Sequence, residues 1–173
     1  GQRLGDMWGY VIDGYFASDE EAANYPVDQT SVNEIINTSA GSEKGLKAGD
    51  LKFVDLNNDN IISAAKTLDD TGDQIIIGNS LPRYSFGLNL SADWNGFDFS
   101  VFFQGIGKQN WYPGRDATAF WGPYSRPYST FIERDFLSKV WSEDNPDAYF
   151  PRPRGYIALN ASNRSLGVPS NRY

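Results

Sequence analysis

The sequence contains neither cysteine nor histidine. Zinc sites built from these residues, Ser-His-Asp triads and cysteine nucleophiles are therefore excluded within the chain. No apolar run approaches the roughly 20 residues that a transmembrane helix needs. Basic residues are also few, because 15 Lys and Arg stand against 22 Asp and Glu, which gives a formal charge of −7 without a basic cluster. This balance argues against nucleic acid or anionic lipid as the main partner of the chain.

The most regular pattern in the sequence covers residues 83–107, where apolar and polar residues alternate on both sides of Asn95-Gly96. Alternation with a period of two is typical of a strand with one apolar and one polar face. Asn-Gly is a preferred centre of a two-residue type I′ turn, which fixes the register of the two strands. The predicted pairs are apolar with apolar: Trp94 with Phe97, Ala92 with Phe99, Leu90 with Val101, and Leu88 with Phe103.

Two interpretations of this hairpin remain open from its residues alone. Each strand has about the 9–11 residues that a tilted strand needs to cross a bilayer, and the polar face is small and hydrophilic except for Phe102. The alternative is a hairpin of a soluble β-sandwich, whose apolar face packs on a second sheet. The stretch by itself favours the sandwich, because the signal of a membrane barrel is weak in any single segment.

A sharp chemical motif lies at residues 55–61. Asp55, Asn57 and Asp59 follow the 1-3-5 spacing of an EF-hand-type calcium loop, and the carbonyl of Ile61 would be the ligand at position 7. Calcium prefers six to eight oxygen ligands, which short alternating Asp and Asn side chains on a curling loop supply. The motif predicts a structural calcium ion. The alternative is an Asx-rich turn between strands, which needs no metal.

The motif departs from the EF-hand pattern at two positions. Position 6, usually glycine, is Asn60, which also tolerates the left-handed conformation. Position 12, where a bidentate carboxylate belongs, is Lys66. The next carboxylates are Asp69, Asp70 and Asp73, so a closing ligand requires an insertion within the loop.

The loop after the hairpin is dense in aromatic residues. Trp111, Tyr112, Trp121 and Tyr124 are candidates for stacking on the apolar faces of sugar rings. The alternative, which we favour for most of them, is that these rings pack the long loop onto itself. A capping box, Thr130-x-x-Glu133, then predicts a helix near 130–141 that buries Ile132, Phe136 and Val140 with Leu137 and Trp141.

Several segments together resemble the C-terminal part of the SusC/RagA family of TonB-dependent outer-membrane transporters. The matching segments are GYVIDGYF (9–16), GDLKFVDLNNDNII (49–62), DQIIIGNSLPRYSFGLNLSADWNGFDFSVFFQG (73–105), WSEDNPDAYFPRP (141–153) and the final NRY. They occur in the family's order over most of the chain. The family's aspartate after the DLNxDxxI segment matches Asp73, displaced by an insertion, which makes Asp73 the expected closing ligand for calcium.

The resemblance implies a mainly β fold: a fragment of a transmembrane β-barrel with long extracellular loops that carry short helices. Residues 1–82 and 108–173 would be extracellular, and residues 83–107 would be a membrane hairpin with a periplasmic turn, since such barrels have short inner turns. Two strands do not close a barrel, so we expect the chain to be part of a longer transporter.

The function implied by the resemblance is import of glycans, or of peptides in some members, across the outer membrane. A SusD-like surface lipoprotein would be the outer partner, and the TonB system would act through an N-terminal part that this sequence lacks. The chain would not be an enzyme, and its abundant Asp and Glu are expected to be solvated loop charges. A second hypothesis is a soluble, calcium-dependent carbohydrate-binding β module.

Overall fold

The computed structural model describes residues 3–32, 45–67, 69–114, 117–124, 131–154 and 168–173. The chain divides into two compact units: unit 1 is Gly1–Met7 with Ile76–Tyr112, and unit 2 is Trp8–Ile75 with Pro113–Tyr173. The described part is mainly β with few helices, as predicted. None of its helices is long and apolar enough to cross a membrane.

The strands form three two-stranded sheets, β1 with β4, β2 with β3, and β5 with β6. Their bounds are β1 Asp6–Tyr10, β2 Ile12–Tyr15, β3 Leu51–Phe53, β4 Gln74–Asn79, β5 Tyr84–Trp94 and β6 Phe97–Gly107. The helical segments are α1 Asp19–Ala23, α2 Thr118–Trp121, and the 3₁₀ helices Gly122–Tyr124 and Phe136–Lys139.

The β5–β6 hairpin has the predicted register. Trp94 pairs with Phe97, and the pairing continues without a bulge to Tyr84 and Gly107. The two turn residues both have positive φ, 49° at Asn95 and 84° at Gly96, as a type I′ turn requires. Hence every predicted apolar pair is confirmed, and the local signals alone were sufficient to fix the register.

The apolar face of this hairpin is exposed along its length. Phe86 is 60% exposed, Leu88 50%, Leu90 49%, and Phe99 60%. At the turn, Trp94 and Phe97 are 76% and 74% exposed. A row of large exposed apolar side chains on one face of a hairpin is typical of an interaction surface.

The open end of the hairpin is held by a hydrogen-bond network around Asn79. Its Nδ2 donates to the Leu4 carbonyl at 3.0 Å and to Asp6 Oδ1 at 2.9 Å. Its backbone N–H and carbonyl both bond Asn110, which follows β6. Asn79 therefore links the segment before β1, the end of β4 and the segment after β6 within unit 1.

The core of unit 2 lies around β2 and β3. Phe16, Leu51, Phe53 and Ile62 are almost completely buried there. The Gln29 side chain is also buried, and its amide donates to the Leu51 carbonyl at 2.8 Å while its oxygen accepts from Phe53 N–H at 3.2 Å. The amide thus takes the place of a neighbouring strand beside β3.

Helix α1 begins at a capping box. Ser18 Oγ accepts from Glu21 N–H at 3.1 Å, and the Glu21 carboxylate reaches back to Ala17 N–H at 2.8 Å. These bonds satisfy backbone donors that have no partner within the helix. Lys52 on β3 binds the same carboxylate at 2.9 Å, which ties the helix to the sheet.

The structure corrects the helix predicted near 130–141. Among the described residues of this stretch, only Phe136–Lys139 is helical, and it is a 3₁₀ helix. Phe136, Val140 and Trp141 are buried as expected, but Ile132 is 56% exposed and Leu137 81%. The reason is long-range pairing, because Trp141 N–H donates to the Phe150 carbonyl and Phe150 N–H donates to the Lys139 carbonyl. The proposed N-cap, Thr130, lies outside the described residues.

Residues 168–173 are anchored to unit 2 by aromatic and polar contacts. The Tyr15 hydroxyl lies 2.8 Å from the Tyr173 hydroxyl and donates to the Tyr149 carbonyl at 2.7 Å. The Arg172 guanidinium lies 4.9 Å from the centroid of the Tyr15 ring and donates to the Ala148 carbonyl at 2.6 Å. Burial raises the pKa of Tyr15, so its hydroxyl stays neutral and keeps these bonds at physiological pH.

Candidate functional site

The Asp/Asn loop at 55–61 is a series of side-chain to backbone hydrogen bonds. Asp55 accepts from Asn58 N–H at 2.7 Å and from Asn60 N–H at 2.8 Å. Asn57 accepts from Asp59 N–H at 3.0 Å, and Asp59 accepts from Ile61 N–H at 2.8 Å. Asn58 and Asn60 both have positive φ, 61° and 63°, which asparagine tolerates better than most residues. The three predicted ligands therefore lie on one tightly curled turn.

The Asp73 side chain connects the two ends of this turn through hydrogen bonds. Its carboxylate is completely buried and accepts from Leu56 N–H at 2.8 Å and from Ser63 N–H at 2.7 Å. Asp73 N–H in turn donates to the Ser63 carbonyl at 3.0 Å. Despite the insertion, Asp73 binds the backbone of residues near both ends of the motif.

These oxygens have a structural role that needs no cation, since they satisfy six backbone N–H groups that would otherwise lack partners. In the described residues, no group of three or more His, Cys, Asp or Glu side chains is arranged to hold a metal. Each carboxylate oxygen has a further lone pair, and the geometry brings the right ligand types to one loop. The calcium ion stays a prediction.

Two of the four aromatic candidates are packing residues in this conformation. Trp121 is 9% exposed and its Nε1–H donates to the Gly114 carbonyl at 2.8 Å. Tyr124 is 3% exposed, and its hydroxyl donates to the Pro151 carbonyl at 2.8 Å. Its ring packs near Phe136 and Phe150, with centroid distances of 6.1 and 5.9 Å. These two rings hold the loop together, which was the alternative considered from the sequence.

The other two candidates belong to unit 1. Trp111 is 73% exposed, whereas Tyr112 is partly buried. Trp111 therefore has the most accessible ring of the four for stacking on a ligand. The carbohydrate-contacting role stays a prediction for all four residues.

A buried ion pair between Asp50 and Arg154 was not predicted from the sequence. Arg154 Nη1 lies 3.0 Å from Asp50 Oδ2 and 2.9 Å from the Gly45 carbonyl. Burial raises the pKa of Asp50 to about 6, although Arg154 and the N–H of Lys47 act in the opposite direction. The two partners are 104 residues apart, so no local pattern predicts their pairing.

The hairpin is the other candidate functional surface, and its charges are segregated. Between Tyr84 and Ala92 on β5, and between Phe99 and Gly107 on β6, there is no charged residue. Asp93 and Asp98 face each other beside the turn, where they form a cross-strand pair. Arg83 and Lys108 flank the open end.

No family model matches the chain. The chain is similar to TonB-dependent receptor P39 of Formosa agariphila, with 34% identity over 122 residues, and to TonB-dependent receptor P26 of the same organism, with 29% identity over 107 residues. The matches cover 60% and 62% of this chain. The chain spans only 11% and 10% of the length of these curated relatives.

Proposed function

We propose that this chain supplies part of the barrel wall and outer loops of a TonB-dependent receptor, an outer-membrane transporter and not an enzyme. The similarity to two such receptors supports this assignment over more than half of the chain. Energised transport and contact with the TonB system belong to the whole protein, of which this chain would be one part.

The observation that carries the proposal is the exposed β5–β6 hairpin. Each strand has 11 residues, the length expected for crossing a bilayer at a tilt. The apolar face is exposed, and the span between the charged ends is free of charge. A two-stranded ribbon is marginally stable in water, so this hairpin needs neighbours, and lipid would cover its apolar face.

The outer edges of the hairpin support the same proposal. The pairs that flank a two-residue turn are hydrogen-bonded pairs, and they alternate with pairs whose backbone groups point outward. In the described part of the chain, β5 and β6 form a sheet of only two strands. Their outward N–H and carbonyl groups would be satisfied in a membrane by strands from the rest of a closed barrel.

The substrate of the proposed transporter is a glycan or a peptide, and its outer partner is a SusD-like lipoprotein. The segment resemblance supports both, and the exposed ring of Trp111 supports a sugar-contacting loop. The Asp/Asn loop would then keep an extracellular loop rigid, with or without calcium.

The soluble carbohydrate-binding module is the second candidate. It would require a second sheet that covers the apolar face of the hairpin. In the described residues this face is exposed, with Leu90 at 49% and Phe103 at 52%. The exposed face therefore favours the membrane assignment over the module.

Site-directed labelling of adjacent residues tests the proposal. The chain has no cysteine, so Leu90→Cys or Ser91→Cys introduces one thiol into it on either face of β5, and any cysteine elsewhere in the intact protein is first replaced by serine. Each variant of the intact protein is labelled with an environment-sensitive fluorophore and reconstituted into phosphatidylcholine vesicles that contain lipids with a quencher on the acyl chain. We expect strong quenching at position 90 and weak quenching at position 91.

A label at Lys66→Cys, in the exposed loop of unit 2, is the matched control and should not be quenched. Equal quenching at positions 90 and 91, or none at either, would reject the membrane assignment of the hairpin.

A further inference from the structure

The six charged residues of unit 1 sum to zero, although the whole chain carries a net charge of −7. Four of the six lie on or beside the hairpin, where the two signs of charge are separated. Asp93 and Asp98 lie beside the turn, and Arg83 and Lys108 lie at the opposite end. The ribbon is thus acidic at one end, basic at the other, and uncharged over the stretch between them.

The two basic residues at the open end are held close together. Arg83 N–H donates to the Lys108 carbonyl at 3.3 Å, so the two residues continue the pairing of the strands by one step. Lys108 has a φ of 53°, which ends the regular strand at this point. Both side chains are exposed.

Neither of these cations forms an ion pair with any residue that the structure describes. The Arg83 guanidinium lies 5.6 Å from the centroid of the Tyr84 ring, a contact that leaves its N–H donors available. Arginine binds a phosphate group through two parallel N–H donors of its planar guanidinium, and lysine binds it through a compact positive charge. The two residues together therefore suit a phosphate group. Tyr84 adds an amphipathic ring of the kind found where membranes meet water.

We infer that Arg83 and Lys108 bind the phosphate groups of an anionic lipid in the outer leaflet, at the outer boundary of the membrane hairpin. The inference rests on the proposed function and extends it by naming a lipid partner. Charge complementarity supports this inference. The basic end of the ribbon lies at the edge of the uncharged span, which is where the anionic headgroups of the lipids would lie. With its basic end at the outer leaflet, the hairpin would have its Asn-Gly turn, flanked by Asp93 and Asp98, on the periplasmic side. This orientation agrees with the rule that inner turns are short.

The test uses the intact protein in detergent, titrated with lipid A, a glycolipid that carries two phosphate groups. Bound lipid is counted by native mass spectrometry. The double variant Arg83→Gln/Lys108→Gln should bind this lipid about 30-fold more weakly, since each basic residue near an anionic headgroup is worth about fivefold in affinity. The matched control, Lys66→Gln/Arg134→Gln, removes two exposed cations of unit 2 and should bind like the wild type.

Two further titrations identify the ligand. Dephosphorylated lipid A should bind the wild type and the double variant equally weakly. Inorganic phosphate at millimolar concentration should not displace lipid A from the wild type. Displacement by inorganic phosphate alone would show a site for the free anion and overturn the inference of a lipid partner.

Failure of the inference is distinguishable from failure of the proposed function. If the label at position 90 is quenched by lipid but the double variant binds lipid A as the wild type does, the lipid-phosphate site is rejected and the membrane hairpin stands. If the label at position 90 is not quenched, both are rejected.

Discussion

The ring of Phe86 lies directly over Gly105, its partner on the opposite strand, in the space that a side chain at this position would occupy. A similar arrangement exists on the polar face, where the Phe102 ring would lie 3.3 Å from a Cβ at Gly87. In each case an aromatic ring covers a glycine that has no side chain of its own to pack. This arrangement explains why Phe102, the one large apolar residue of the polar face, is tolerated there.

We predict that Gly105→Ala destabilises the hairpin. The new methyl group would displace the Phe86 ring from its rotamer, at a cost of about 1 kcal/mol in the free energy of unfolding. The control is Gly107→Ala, where the nearest atom of Tyr84 lies 3.7 Å from the added Cβ, an ordinary contact. Urea titrations of the intact protein folded into lipid vesicles measure both variants. Equal free energies of unfolding for the two variants would show that the packing of the Phe86 ring over Gly105 does not stabilise the hairpin.

The two faces of the hairpin should respond differently to charge. Arginine at Val101, on the apolar face, should lower the free energy of unfolding by roughly 2–4 kcal/mol if this residue faces lipid at mid-depth. Arginine at Ser91, on the polar face, should cost much less because water is accessible there. The same urea titrations measure this difference. Equal costs, or a larger cost at Ser91, would contradict the assignment of the faces.

The hairpin was predictable because its determinants are local. The alternation of residue types fixes the faces, and Asn95-Gly96 fixes the turn and thus the register. The start of helix α1 has an equally local determinant, since Ser18 and Glu21 of its capping box are only three residues apart. The resemblance, and not the interrupted spacing of the motif, pointed to Asp73, and its role as a calcium ligand stays a prediction.

The parts of the fold that were not predicted depend on contacts between residues that are not close in the sequence. The helical pattern near 130–141 predicted one continuous apolar stripe, but Phe150 forms a bridge with Val140 through hydrogen bonds to Lys139 and Trp141, and only a 3₁₀ helix remains. An isolated helix of about 12 residues is marginal in water, so such competition decides the outcome. The Asp50–Arg154 pair and the amide of Gln29 beside β3 likewise have no local signature.

Asp50 should make stability depend on pH. Burial raises its pKa from 3.8 to about 6, so the folded state holds the proton more tightly than the unfolded state does. Between these two values the folded state binds more protons, and the free energy of unfolding therefore falls as the pH rises from about 4 to about 6 through this group alone. Above pH 6 this contribution is constant.

The variant Asp50→Asn isolates the effect, because it keeps the shape of the side chain and an oxygen for Arg154 but cannot titrate. Carboxylates with a lowered pKa, such as Glu21, contribute with the opposite sign in both proteins and cancel in the comparison. We expect the difference in stability, wild type minus variant, to decrease between pH 4 and pH 6. A difference that stays constant or increases over this range would show that Arg154 holds the Asp50 carboxylate ionised.

The Asp/Asn loop presents a choice between two explanations. Hydrogen bonds to backbone N–H groups account for its Asp and Asn side chains without a metal. Yet Asp55, Asp59 and Asp73 bring three formal negative charges to one loop and its base, where they repel one another unless a cation lies between them. In the described part of the chain the Ile61 carbonyl accepts no hydrogen bond, so its lone pairs are available to a ligand.

We predict that the loop binds one calcium ion through Asp55, Asn57 and Asp59 with the Ile61 carbonyl and Asp73. Calcium should raise the melting temperature of the wild type and release or absorb heat on titration, and Asp59→Ala should abolish both effects. Asp69→Ala is the matched control, since it removes an exposed carboxylate from the insertion and should leave both effects unchanged. The longer closing loop weakens the site only slightly, because doubling a loop costs about 0.6 kcal/mol in closure entropy. Identical heats and melting temperatures with and without calcium would leave the loop as a polar turn, held by its own hydrogen bonds.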